Sequence, residues 1–561
     1  MEKEKPDRKM SRRSVLTTLG LASASAVTGT LLGKDVTFGY GVTDNVYGNE
    51  ADMRRIADEV VQEYAQQVSA ELTDIGAELA LRGVNAAKLG LKGDGTDETT
   101  ALRSAIQYAA DRHLTLLIPR WMTVCVDTIT ITGKQNFGIR CEGWIRRLDQ
   151  SPTVGSLLKL DSCSGVYMPE IRFDGNGLNN GCVENVAYTV NQEQKHCLVL
   201  LNCQDVTIDR FHCLNPCGDG LYISSGSKNM KLGTITGQAD AQIGRNLVSI
   251  INAQNIRIDY LYSDNIGHYD MPGGFDIEPN ASTETVRNVF VNSMNITGGG
   301  TNPCSVLGTN NALVENVFLG SVNLVRTNIV LPSSEITSVY ISASNVRIGQ
   351  LSVVNKTAHN ISFLTLNKQG LTPKGITILD SYGEGCYRGI QVGFGSNAVE
   401  DVHVKATIRN CKHDGIFMGT AKNVKLDIDI DSVGADRFML NKPAGGGVCN
   451  NIYITGNFSN RGTGLKAMII GDVPANVVNW TLENVDFTGW GNNQRLYGGG
   501  FQGTVRKINC RNLTHLTSLP AFEQFKQGDL IWNIGADPEV SYWRRLTNGT
   551  GNALNTDWKA Y

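Results

Sequence analysis

NIRI (255–258), NVFV (288–291), NVFL (316–319) and NVRI (345–348) are four copies of one phrase: an Asn, then two apolar residues flanking a variable one. The phrase starts at Asn229-Met230 and returns at Asn423-Val424 and Asn451-Ile452. Variants at Asp205-Val206, Gly375-Ile376 and Asp401-Val402 fill the gaps. Counted between the apolar residues from Val206, the steps are 24, 26, 33, 28, 29, 30, 26, 22 and 28 residues. One short unit repeated with loops of differing size indicates a solenoid.

The local pattern selects the kind of solenoid. VTIDRF (206–211), IRIDYL (256–261), VRIGQL (346–351), VHVKAT (402–407) and VKLDIDI (424–430) alternate apolar and polar residues and are rich in β-branched side chains. This is strand periodicity. Helical repeats of this length need 10 to 15 residues of 3.6-period spacing in each unit, and none occurs from about residue 125 to the end. The implied fold is all-β, a right-handed single-stranded parallel β-helix with two or three strands per coil. Asn tolerates left-handed backbone angles and bonds its own loop, so the Asn before each strand suits a turn. Stacked coils would align these Asn residues in a ladder. About eleven to thirteen coils at about 4.8 Å each make a rod of about 50 to 60 Å.

The 561 residues, 41% hydrophobic with 61 Gly, fit a turn-rich β protein with a large core. A net charge of −3 without a basic stripe argues against a nucleic-acid partner. No membrane partner, cofactor or metal is expected. The 13 Cys lack metal-like spacing, and Cys213 and Cys217 form a C-x₃-C without a partner pair. They read as small buried hydrophobes of a chain that folds in a reducing compartment.

The ends differ from the middle. Residues 1–35 hold Arg12-Arg13, a weakly apolar stretch and an A-x-A at Ala24 to Ala26. They read either as a twin-arginine export signal or as a segment attaching the protein to a larger assembly. Within 36–87, Ile56, Val60, Tyr64, Val68, Leu72, Ile75 and Leu79 fall three or four apart. That amphipathic stripe predicts a helical neck formed by several chains.

GDGTDETTALRSAI (93–106), followed by an apolar strand and Pro119, resembles the entry motif of the pectate-lyase-like (pectin-lyase-like) parallel β-helix proteins, a family that includes bacteriophage tailspikes and capsule depolymerases. The resemblance implies a β-helix over 88–515, with Asp94 and Asp97 as turn and capping residues. It also implies a homotrimer, a bacterial surface polysaccharide as partner, attachment to a phage tail or baseplate through the N-terminus, and a place in the virion tail. Residues 516–561 are similar to the small closing segments of phage spikes, with Trp532, Trp543 and Trp558 packing a C-terminal β cap against open strand edges.

Coil-by-coil alignment points to a site. With the second residue of each second strand in the core, the third faces outward: Tyr222, Val248, Asp276, Val306, Val330, Ser362, Gln391 and Phe417. Asp276 is the one carboxylate in that column. Glu278 lies two residues on, also outward, about 6 to 7 Å away at the backbone. Two carboxyls so placed can flank a glycosidic bond, one as acid and one as base or nucleophile. The same coil has the longest reach, 19 residues from Ile256 to Phe275, and the surplus is the loop Gly267–Gly273 with His268, Tyr269 and Asp270. Tyr222 would offer a sugar platform, and Arg245 would hold an acidic group. Asp219 and Asp414 sit in Asp-Gly corners and read as turn residues; Glu384 and Glu335 are weaker candidates.

The expected function is a tailspike that cleaves polysaccharide internally as a glycoside hydrolase. The alternatives are a lyase using His268 or Tyr269 as base, a non-catalytic adhesin, and an exported pectinolytic enzyme.

Overall fold

A computed structural model describes residue 62 and residues 83–561, apart from 328, 332–335, 394–397, 435–437, 442–446, 460–467, 471–475, 488–495, 498–504, 512–514, 517–518, 520–526, 534, 536–538, 548–550 and 552. The signal-like segment over 1–35 and nearly all of the neck over 36–87 lie outside the described residues. At the end of the neck range the backbone is a short strand, Gly83–Asn85, and a 3₁₀ turn, Ala86–Leu89.

The repeat marks prove to be the register of the fold. Val206 stands opposite Met230, then Ile256, Val289, Val317 and Val346 in successive parallel strands. Ile376, Val402, Val424 and Ile452 continue the row. Each central coil adds a short strand to one stack of 14 and a long, bent strand to another of 20. In the coil of interest these are Phe275–Ile277 and Thr285–Thr297. The chain is thus a right-handed parallel β-helix. Its core is the stacked apolar column: Val289, Val291, Met294 and Ile296 are each at most 1% exposed.

The Asn residues do not precede strands. They fall inside the long ones, as single left-handed residues that bend the strand, with φ of 59° at Asn229, 57° at Asn255, 56° at Asn288 and 59° at Asn316. The expected ladder is present. Asn288 donates to Asn255 at 3.0 Å, Asn316 to Asn288 at 3.2 Å and Asn345 to Asn316 at 3.3 Å. Asn suits the bend because its short amide offsets the left-handed backbone with a local hydrogen bond.

The entry motif folds as a turn and a helix, Thr99–Ala110, whose Leu102, Ala105, Ile106 and Ala109 are buried. Asp94 and Asp97 accept the Thr96 and Thr99 N–H groups, as turn residues do. At the other end, His515–Leu516, Leu530–Asn533, Tyr542–Arg545 and Trp558–Ala560 form a four-stranded sheet. Trp558 and Trp543 are buried in it, and Trp532, 45% exposed, lies against Tyr542 with ring centroids 5.4 Å apart. Among the described residues, no helix is long and apolar enough to cross a membrane.

Candidate active site

The short-strand register corrects the outward column. Opposite Asp276 stand Ser249 and Ser305, and the row runs Tyr222, Ser249, Asp276, Ser305, Tyr340, Thr365, Gln391, Phe417. Val248 and Val306 were one residue out of step. Ser362 pairs with Thr337 instead, and Tyr340 takes the place expected of Val330. The misalignment arose where loops change length between coils. Asp276 remains the one carboxylate in the row.

Asp276 is not the solvated residue that an outward position suggests. It is 0% exposed, and its Oδ1 has no hydrogen-bond partner among the described residues. Burial pushes its carboxyl well above the usual range, and Glu278 and Asp219 add to the rise against Arg245. Glu278 is half-buried. Burial raises its carboxyl too, with Arg245 opposing. Like charges in one low-dielectric cluster disfavour ionisation, so Glu278 makes it harder for buried Asp276 to lose its proton.

Asp219 belongs to the same cluster, which its Asp-Gly corner did not reveal. It is fully buried; Oδ2 lies 3.1 Å from His196 Nδ1 and 3.3 Å from Arg245, and Oδ1 accepts the Asn246 N–H at 3.1 Å. Burial alone would raise this carboxyl, but Arg245, His196 and Ser249 together hold it below its ordinary value. Arg245 is correspondingly raised, chiefly by Asp219. Tyr222 stacks on His196 with ring centroids 4.8 Å apart. Asn246 ties the parts together: its amide donates to Ser249 at 3.1 Å and to Asp276 at 3.3 Å. Spacing rules missed Asn246 and His196. The signal available was their position two residues before a short strand, the same as that of Asp219.

The loop Gly267–Gly273 is a brace, but its coil does not have the longest reach: in the observed register Val317 to Val339 takes 22 residues, against 19 from Ile256 to Phe275. Asn246 Oδ1 accepts the Gly273 N–H at 2.8 Å, and the His268 N–H donates to Gly244 O at 2.8 Å. Behind it, a Cβ on Gly300 would lie 1.7 Å from Met271 O, so the next coil can nest there only as glycine. His268 corrects the expectation of a free base. It is 0% exposed; one ring nitrogen meets Asp270 at 2.5 Å and the other Val183 O at 3.1 Å, with Tyr188 stacked at 4.3 Å and Tyr269 edge-on at 4.7 Å. His268 therefore holds the loop together through Asp270, Val183 and the two tyrosines, while Tyr269 and Asp270 stay partly exposed. Cys217 is not an unpaired hydrophobe either. It forms a disulfide with Cys182, next to Val183, while the other 11 cysteines are free and buried.

Asp414 repeats part of the arrangement farther along the rod, buried against His413 at 3.0 Å and Arg388 at 3.5 Å. Glu384 accepts the Tyr382 hydroxyl at 2.7 Å, and Glu335 lies outside the described residues. Among the described residues no group of three or more His, Cys, Asp or Glu is placed to hold a metal ion.

Neither a family model nor a curated protein matches the sequence. Solved structures with a similar architecture include endo-xylogalacturonan hydrolase from Aspergillus tubingensis, at 14% identity and a TM-score of 0.34, covering 74% of this chain and 99% of that one. Another is the Family 28 exopolygalacturonase of Yersinia enterocolitica, at 12% and 0.31, covering 77% and 78%. A third is tailspike protein 3 of bacteriophage CBA120, at 10% and 0.37, covering 87% and 75%. The likeness is one of β-helical architecture, which the chain's own parallel strand stacks display.

Proposed function

We propose that this protein is a polysaccharide depolymerase that cleaves glycosidic bonds at the Asp219–Asp276–Glu278 cluster. The observation that carries the reading is the division of charge in one buried cluster: Asp219 is held ionised by Arg245, while Asp276 and Glu278 are both driven toward the protonated form. A hydrolase needs a carboxyl that keeps its proton near neutrality. Glu278, half-buried, is the member that a polymer can reach. It delivers a proton to the leaving oxygen, and the pair recovers one from the attacking water, ending as it began. The lyase route is less favoured, because both His268 nitrogens are bonded within the chain and Arg245 is already paired.

The biological setting we propose is a homotrimeric phage tailspike acting on a bacterial surface polysaccharide, attached through its N-terminal segment. The entry motif and the mixed four-stranded sheet at the C-terminal end support it. One observation favours a second reading, a non-catalytic adhesin: Asp276 is wholly buried. Release of reducing ends from a panel of purified capsular polysaccharides separates the two. Glu278→Gln and Asp276→Asn should each lower the rate by about 10²–10⁴-fold with the fold intact. Near-native rates in both variants would place the chemistry elsewhere, and no reducing ends from any capsule would favour the adhesin.

A further inference from the structure

The long strands carry a cleft of about 380 Å³, on a different stack from the carboxylate cluster. Four successive coils build it. Asn295, Asn323, Ser352 and Tyr382 share one register row, and Ser321, Gln350 and Asp380 the neighbouring one. Val322 and Leu351, between the rows, turn into the core. One coil earlier, Tyr262 and Tyr260 head the two rows, and Tyr262 is 37% exposed.

The chemistry of the lining is specific. It consists of amides and hydroxyls with one carboxylate, Asp380, and no cation. The amides are held in fixed orientations: Asn295 donates to the Tyr260 hydroxyl at 3.2 Å, and Asn323 donates to Asn295 at 3.2 Å. An amide offers two donors and two acceptor lone pairs, so each retains capacity for a ligand while its direction is set. The rows repeat at the coil spacing of about 4.8 Å, close to the advance of one sugar ring in an extended chain. Hydroxyl-rich rings are matched by such amides, and their C–H faces by a phenol at either end. A polyanion is not matched, because Asp380 repels it and no lining cation attracts it.

We infer that this cleft is a second polysaccharide site, which holds a neutral glycan chain along the rod axis across four coils without cleaving it. The inference does not depend on hydrolysis at Glu278. A non-cleaving site beside a cleaving one would keep a long polymer near the enzyme between cuts, through effective concentration.

Affinity electrophoresis of the full chain through gels containing dextran, mannan, galactan or polygalacturonate tests it. At least one of the three neutral polymers should retard the protein, and polygalacturonate should not do so through this cleft. Asn323→Ala with Gln350→Ala should weaken the retardation at least tenfold, and Ser352→Trp, which fills the cleft from the position next to Asn323 while leaving both amides in the chain, should do the same. Glu278→Gln should leave it unchanged, which separates this site from the proposed hydrolytic one. Three results would overturn the inference: no retardation by any neutral polymer, retardation that survives Ser352→Trp, or a fall in oligomeric mass on Ser352→Trp, which would make the face an interface between copies.

Discussion

Asn246 holds Asp276 from the neighbouring coil, its amide donating to Oδ2 at 3.3 Å while its own carbonyl oxygen is fixed by the Gly273 N–H. The braced loop thereby reaches the buried carboxyl through one side chain. In Asn246→Ala, Asp276 loses the hydrogen bond that opposes its raised pKa. The expected result is a rate lower by about tenfold or more, with the basic limb of the pH–rate profile moved up. An unchanged profile would show that Asn246 serves packing alone.

Asp276 should make the protein less stable as pH rises. Its folded pKa lies above the ordinary 3.8. Above 3.8 the unfolded chain has released this proton while the folded chain keeps it, so this group's contribution falls until the folded pKa is passed. Asp276→Asn removes that slope. It should raise the melting temperature at pH 7, by the equivalent of about 1–3 kcal/mol, with the gain shrinking toward pH 4. A gain equal at both pH values would contradict the assignment.

Arg245 opposes the rise of both Asp276 and Glu278 and holds Asp219 ionised. Arg245→Gln should therefore raise the first two pKa values further and shift the basic limb of activity to higher pH. Asp219 gives stability that is present above its unfolded value and lost as pH falls through its depressed folded value. In the variant that loss should begin at higher pH. Chemical denaturation across pH 3–6 reads this directly, and Arg245→Lys should restore part of it.

The ladder can be tested at Asn288, which makes two side-chain bonds at a φ of 56°. Asn288→Ala loses both and strains the left-handed backbone, for about 2–4 kcal/mol. Asn288→Gly loses the bonds but keeps the backbone angle at ease, as Gly375 already does in the same column at 69°. Gly should thus cost about 1 kcal/mol less than Ala. The reverse order, measured by urea denaturation, would remove the left-handed bend as the reason for Asn.

The fold was legible because a β-helix repeats its register in the sequence, so Val206, Ile256 and Val289 were already aligned by counting. The site was legible only where that register carried over. Counting found Asp276 because its own coil was in step, and slipped at Val330, where the intervening loop is longer. Burial was not legible. Strand alternation tells which way Asp276 points, not that the outward side is covered, and a place in a surplus loop made His268 look accessible. Asp219 was lost for a related reason: an Asp-Gly corner has the same letters whether the carboxylate caps a turn or meets His196 and Arg245.

The Asn ladder also has a direction. Asn229 donates to Asp205, and Asn423 to Asp401. An ionised carboxylate can only accept, so each Asp orients the first amide, and every later Asn must follow suit. Amide dipoles thus line up head to tail from Asn229 to Asn345 and again from Asn423 to Asn451, and each bond polarises the next. Gly375, with no side chain to pass the pattern on, separates the two runs. One edge of the rod therefore has a built-in polarity, written in two segments that each start from an aspartate.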